Sequence, residues 1–394
     1  MLKNQLLMTM LHTFPHCKAL RKEYNKRKFQ YHSDFYMPAE KVMEAERSES
    51  AKNRLMEAYR GKWANLYDET EEEIGALISK APTDQIRAEI EKTREDMLFC
   101  RFAYGFKPDE YYAYRFLNKT TEERKKYVSS RDLLCMIYRM NDRLDFDVYN
   151  DKAQTYDRFA PYYKREAVSL NSEKDYGAFL KFIKDHPVFV KKNVREAMGN
   201  GVELIDMAKT EQTEREVFEQ LLAQGKTLLE ERVVQCECFS TLNPSSVNTV
   251  RFITYYTKSG VEVPYCFMKI GRKGSFVDNG GAGGILVGID QETGRMNTDG
   301  FDEFIRRYEK HPDSNIPFVG YQLPAIQEGV ELSKKLSAMT PSVKFVGWDF
   351  TYTDQGWVII EGNGMSQLIG PQIVWEKGVK KEAEEIMGRM DLIV

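Results

Sequence analysis

Histidine is scarce in this chain: five in 394 residues (His12, His16, His32, His186, His311), none in an H-E-x-x-H or other metal-ligand spacing, which argues against zinc hydrolysis. No G-x-S-x-G elbow is present, so serine-histidine catalysis is equally disfavoured. The six cysteines (Cys17, Cys100, Cys135, Cys236, Cys238, Cys266) are scattered, and the one close pair, Cys236-x-Cys238, resembles neither a zinc site nor a disulfide framework. They read as the reduced thiols of a cytoplasmic protein. No run of about 18 apolar residues occurs, which excludes a membrane-spanning helix. The opening MLKNQLLMTMLHTF has one lysine and a short apolar stretch, but His12 and Thr13 interrupt it and no small-residue cleavage site follows, so it is a poor signal peptide. Charge of one sign is lacking too: 57 basic against 60 acidic residues leave a formal charge of -3, no electrostatic footprint for nucleic acid or an anionic membrane. Neither G-x-x-x-x-G-K-[ST] nor a helix-opening G-x-G-x-x-G is found.

What is present divides the chain in two, as its length suggests at roughly 100 to 200 residues per domain. From about residue 40 to 140 charged, helix-friendly sequence carries apolar residues at helical spacing, as in EEEIGALISK and TDQIRAEIEKTREDMLFCRF, with helix starts at Thr83 and at Thr120-Thr121-Glu122-Glu123. Beyond about residue 150, NDKAQTYDRFAPYYKRE reads as helix and HPVFVKKN as a strand, followed by the strand VELID, the helix TEREVFEQLLAQG stopped by Gly225, and the strand TLLEERVVQC. Two hairpins follow: TVRFITYYT with EVPYCFMKIG through Lys258-Ser259-Gly260, and VKFVGWDFTYT with WVIIEGN through Asp354-Gln355-Gly356.

Counting outward from the second loop sets Asp349 opposite Glu361, with Asn363 two residues further on the same face, while Val346, Trp348, Phe350, Tyr352, Val358 and Ile360 form the apolar face. Opposed carboxylates destabilise a sheet, and no Lys or Arg sits beside them on the same face to neutralise them. A bound cation resolves the conflict, and an Asp, a Glu and an Asn suit Mg²⁺, which takes oxygen ligands from carboxylates, phosphates and water, better than zinc. In the first hairpin the same counting sets Arg251 opposite Phe267 with Lys269 its diagonal neighbour on one face; Arg272 and the loop SFVDNGGAGG follow. Cations beside a glycine-rich loop suit a phosphate or a developing oxyanion. Lys191 and Lys192 end the strand VFVKK before Gly199-Asn200-Gly201, where one lysine can hold a phosphate as a point charge.

In order, a lysine strand, glycine turn, Glu-bearing strand, Arg strand, glycine loop and closing Asp/Glu/Asn hairpin resemble the ATP-grasp superfamily. The segments NPSSVNTVRFIT, GRKGSFVDNGGAGG, GIDQETGR and GWDFTYTDQGWVIIEGNG are most similar to its sugar-transfer-associated branch, found among polysaccharide-biosynthesis proteins. The resemblance implies an α+β fold: two α+β lobes whose antiparallel sheets clamp ATP (residues 146–394, lobe 1 about 146–235 and lobe 2 about 236–394), preceded by a mainly helical region (1–145). It implies that Lys152 and Lys191, or Lys192 in its place, contact phosphates, that Glu230 or Glu231 takes the adenine amine, and that Val233 offers backbone. Asp278 and Asn279 of the glycine loop also fall to the nucleotide; Asn248, Arg251, Lys269 and Arg272 fall to the reacting groups; Asp349, Glu361 and Asn363 hold Mg²⁺, two ions in the usual arrangement. One departure is Lys192, which stands where a proline often follows the strand lysine. The implied activity is a carboxylate-amine or thiol ligase acting through an acyl phosphate on a surface-polysaccharide precursor. The alternatives are a small-molecule kinase and a non-catalytic nucleotide-binding partner of a glycosyltransferase. Expected partners are small carboxylates and amines and polysaccharide-biosynthesis enzymes, not nucleic acid.

Overall fold

The computed structural model describes residues 2–194, 201–272, 274–278, 280 and 283–394. The N-terminal part is helical, from Leu2–Thr13 through Arg143–Asn150. The expected starts hold: the Thr83 hydroxyl accepts from the Ile86 N–H, and Thr120 forms a reciprocal capping box with Glu123. These helices close on their own aromatic core, where Trp63 stacks on Phe102 with ring centroids 5.5 Å apart. Ile305 and Ile373 reach into that core from the C-terminal half.

The C-terminal half holds two antiparallel sheets. The smaller comprises β1 (Ala167–Leu170), β2 (Val188–Asn193), β3 (Val202–Asp206) and β4 (Thr227–Glu231) in the order β1-β4-β2-β3. The helices Tyr176–Asp185 and Glu214–Ala223 cover one face through Phe179, Phe182, Phe218 and Leu221 against Phe189 and Leu229. The larger sheet comprises β5 (Thr249–Thr257), β6 (Gly260–Ile270), β7 (Ile285–Asp290), β8 (Arg295–Phe301), β9 (Arg307–Tyr308), β10 (Phe345–Thr353) and β11 (Gly356–Asn363), in the order β11-β10-β5-β6-β7-β8-β9. The helix Ile326–Ala338 and the Tyr149 and Phe159 rings cover one face, and the helices Ser130–Met140 and Lys380–Gly388 the other. Ser130–Met140, counted with the N-terminal region from sequence, thus belongs in part to the sheet's own core.

Both hairpins reach the expected register by an unexpected route. Gly260 and Gly356 are paired residues, opposite Thr257 and Thr353, so each loop has two residues and not three. Their φ values of +124° and +84° explain why glycine stands there. A bulge later in each hairpin adds one residue to the second strand and restores the count: Asp349 pairs with Glu361, and Arg251 with Phe267. The bulge at Ile360 also exchanges faces. Trp357 and Ile359 enter the core beside Trp348 and Phe350; Val358 is buried but outside that cluster, and Ile360, expected in the core, lines the cleft between the two sheets.

Candidate functional site

The open face of the small sheet and the edge region of the large one enclose a cleft of about 280 Å³. Strand alternation decides which lysine reaches it. Lys191 lies on the face of Phe189, paired with Leu229 under the covering helices, and is buried against Glu203 at 3.2 Å. Lys192 lies on the opposite face and lines the cleft. Of the two expected strand lysines, Lys192 and not the first-preferred Lys191 reaches the cleft. Lys152, at the first turn of the helix Lys152–Tyr163, lines it as well and donates to the Asn193 carbonyl at 3.2 Å.

Glu230 is buried, and one carboxylate oxygen receives Arg165 Nη2 at 2.5 Å and Lys192 Nζ at 2.9 Å. Burial alone would raise its pKa, but the two cations more than offset this and hold it below the usual carboxylate range. Glu230 is therefore an anchor for Lys192, whereas the Glu231 carboxylate, which also lines the cleft, accepts from the Glu166 N–H at 3.1 Å and from no other group among the described residues. Arg165 was not singled out from sequence. Its guanidinium also donates to the Ile359 carbonyl at 2.6 Å, tying the small sheet to β11 through Glu230. Nothing in the pattern YYKRE marks it. Val233 lines the cleft in the connecting segment after β4, and its backbone makes no hydrogen bond among the described residues.

At the large sheet, Asp349 of β10 stands beside Arg251 of β5, its register partner. Arg251 binds Asp349 through Nε and through Nη2, the latter at 2.6 Å, and Lys269 Nζ lies 3.0 Å from the second carboxylate oxygen. The expectation that Asp349 lacks a neighbouring cation is thus overturned: β5 lies against β10, and the balancing charges come from the other hairpin. Asp349 is fully buried, which would raise its pKa, yet Arg251 and Lys269 drive it well below the usual range. Lys269 is shielded from water too, but Asp278 and Asp349 outweigh that and raise its pKa. Asp278, 3.4 Å from Lys269 and bonded by the Thr249 hydroxyl, is pushed up to about 6, chiefly by burial and against the pull of Lys269.

Glu361, at 40% side-chain exposure, is the open carboxylate of the opposed pair, and Asn363 Nδ2 donates to it at 3.0 Å. Among the described residues no group of three or more His, Cys, Asp and Glu side chains forms a self-contained metal cage. The donors are all oxygens, one carboxylate is open to the cleft, and Asp349 is already balanced. That set fits a hard cation completing its shell on a ligand's phosphates.

Arg251 and Asn363 do not line the cleft themselves and reach it only through Asp349 and Glu361, which they bond; Asn248 and Arg272 stand elsewhere. Asn248 is fully buried; its amide donates to the Phe239 and Asn243 carbonyls at 2.9 and 2.8 Å and accepts from Ser246 and the Gly271 N–H, so it fixes two loops and does not line the cleft. Arg272 lies 5.7 Å from the Tyr308 ring and does not line the cleft either. Asn279 lies outside the described residues, as do Gly199 and Asn200, whereas Asp278 lines the cleft.

Two antiparallel sheets facing one another across lysines, arginines and oxygen donors form an ATP-grasp fold. The chain belongs to the sugar-transfer-associated ATP-grasp family, whose profile matches residues 135–388. No curated protein matches the sequence. Among solved structures, it is similar to D-alanyl-alanine synthetase A from Vibrio cholerae (12% identity, 61% of this chain and 65% of that one, TM-score 0.38). Others are D-alanine-D-alanine ligase from Helicobacter pylori (14%, 66% and 64%, 0.38) and the ATP-grasp ligase PsnB with a minimal precursor (10%, 66% and 70%, 0.40). The chain spans just under two thirds of the length of the Vibrio and Helicobacter proteins.

Proposed function

We propose that this protein is a Mg²⁺- and ATP-dependent ligase that activates a carboxylate as an acyl phosphate and joins it to an amine or thiol. The observation that carries the reading is that Lys269, Asp349 and Glu361, with Arg251 bonded to Asp349, line the same cleft as Lys192, Glu231 and Val233. Lys152 and Lys192 suit the phosphates, and the unpaired backbone at Val233 with the Glu231 carboxylate suits the adenine edge.

Glu361, Asn363 and Asp349 would hold Mg²⁺, which would supply charge neutralisation for phosphoryl transfer. The acceptor carboxylate oxygen attacks the γ-phosphorus, the bond to ADP breaks, and the amine then displaces inorganic phosphate from the acyl carbon. Arg251 is fixed by Asp349 on one side, with Ser366 Oγ 3.3 Å from Nη1, so its guanidinium is oriented before any ligand arrives. A preorganised cation of this kind stabilises the charge that develops on the transferring group or on the tetrahedral oxyanion. The family's association with sugar transfer supports a sugar acid, amino sugar or amino-acid-bearing precursor of a surface polysaccharide as the acceptor.

The test is ADP release over mixed carboxylate and amine pools, with hydroxylamine as trap. A hydroxamate formed with ADP and phosphate supports the reading. AMP and pyrophosphate would exclude it, and ADP release without hydroxamate would indicate phosphorylation of a hydroxyl.

A further inference from the structure

The formal charge of -3 conceals an uneven distribution. The helix Lys18–Ser33 carries Lys18, Arg21, Lys22, Lys26, Arg27 and Lys28 against Glu23 alone. Arg21 and Asn25 face inward, Arg21 to Asp142 at 2.6 Å and Asn25 to the Tyr138 and Asn141 carbonyls at 2.9 and 2.7 Å, and so dock the helix on the body of the protein. Lys18, Lys22 and Lys26, four residues apart, are exposed and make no ion pair among the described residues.

The preceding helix, Leu2–Thr13, repeats this arrangement with the opposite chemistry. Leu7 and Leu11 are buried, while Leu6 and Met10 are 63% and 39% exposed. Phe14, 59% exposed, continues the same four-residue spacing because its N–H still bonds the Met10 carbonyl at 2.8 Å. An exposed apolar stripe costs free energy in water unless something covers it, and large apolar side chains clustered this way mark an interaction surface. A turn at Pro15, whose carbonyl accepts from Arg21 at 3.0 Å, joins the apolar stripe to the lysine stripe.

We propose that these two helices dock the protein on an anionic lipid surface, Leu6, Met10 and Phe14 entering the headgroup boundary and Lys18, Lys22 and Lys26 pairing with acidic headgroups. Exposed apolar side chains followed at once by a lysine-rich helix face are the composition of an interfacial segment, and three apolar side chains without the lysines would bind only marginally. The surface lies outside the residues that match the family profile and is independent of the nucleotide cleft.

The test is co-sedimentation of the full chain with phosphatidylcholine vesicles, with and without phosphatidylglycerol. Binding is expected to the anionic vesicles alone and to fall with added salt. Each lysine near such a surface contributes several-fold, so Lys18→Gln, Lys22→Gln and Lys26→Gln together should weaken binding on the order of a hundredfold, and the corresponding Arg triple should retain it. Leu6→Ser, Met10→Ser and Phe14→Ser together should also abolish it, with ATP binding unchanged in every variant as the check on folding. Wild type that stays in the supernatant with anionic vesicles, or triple variants that sediment like wild type, overturns the proposal. A dimer dispersed by the serine variant without any vesicle binding overturns it too, by assigning the stripe to a second copy.

Discussion

Arg251 and Asp349 are register partners on adjacent strands, and the guanidinium grips both oxygens of the carboxylate, with Nη2 to Oδ2 at 2.6 Å. Lys269 closes on the same carboxylate at 3.0 Å. Removing Asp349 therefore does two things at once. Asp349→Ala should abolish turnover and also destabilise the fold, by about 3–5 kcal/mol, because two buried cations lose their partner. The sign with pH follows from the depressed pKa: the stabilisation is present above the unfolded carboxylate value of about 3.9 and is lost as pH falls through the lower folded value. Acid unfolding curves of wild type and variant should converge below that range and diverge above it.

Asp278 behaves in the opposite sense. Its pKa rises to about 6 in the folded protein, so its contribution is most favourable below the unfolded value and is lost as pH rises through 6. Asp278→Asn should therefore gain stability relative to wild type between about pH 4 and 6, by at most about 3 kcal/mol, read from urea midpoints across that range.

The two strand lysines should separate cleanly. Lys192→Met is expected to weaken ATP binding about tenfold or more, as the loss of a phosphate contact. Lys191→Met, on the helix-covered face, should leave ATP affinity within a factor of about two and show its effect in thermal stability. Calorimetric titration of both variants with Mg·ATP decides it.

Asn248→Ala should unfold at lower temperature, by roughly 2–4 °C for each kcal/mol lost in a domain of this size, because it releases buried carbonyls of Phe239 and Asn243. Its kcat below that temperature should stay near wild type. A selective loss of kcat at unchanged Tm would return Asn248 to the reacting groups.

Much of this was legible in the sequence because strand registers propagate from turns. The pairs Asp349 with Glu361 and Arg251 with Phe267 follow from counting, although Gly260 and Gly356 shorten each loop by one residue and a bulge in each hairpin adds it back. The bulge also hid which side chains face the core, so Ile360 was assigned to the wrong side. What counting within a hairpin cannot reveal is which hairpins adjoin. The contact of β5 with β10, which supplies the cations of Asp349, joins residues nearly a hundred apart and has no local signature. The choice of Lys192 over Lys191 depends on which face the helices cover, and the role of Arg165 on where Glu230 comes to rest.

Glu361 offers the most direct test of the central claim that this cleft binds Mg·ATP through the closing hairpin. Its side chain is 40% exposed and 3.9 Å from Arg251, so Glu361→Gln changes the candidate ligand without stranding a buried charge. Titrating wild type and variant with ATP, with Mg²⁺ and with EDTA, should give wild-type binding that requires the metal. The variant should bind at least about tenfold more weakly with an unchanged Tm, as expected for loss of a charged metal ligand. Equal, metal-dependent affinity in Glu361→Gln and wild type would contradict the account.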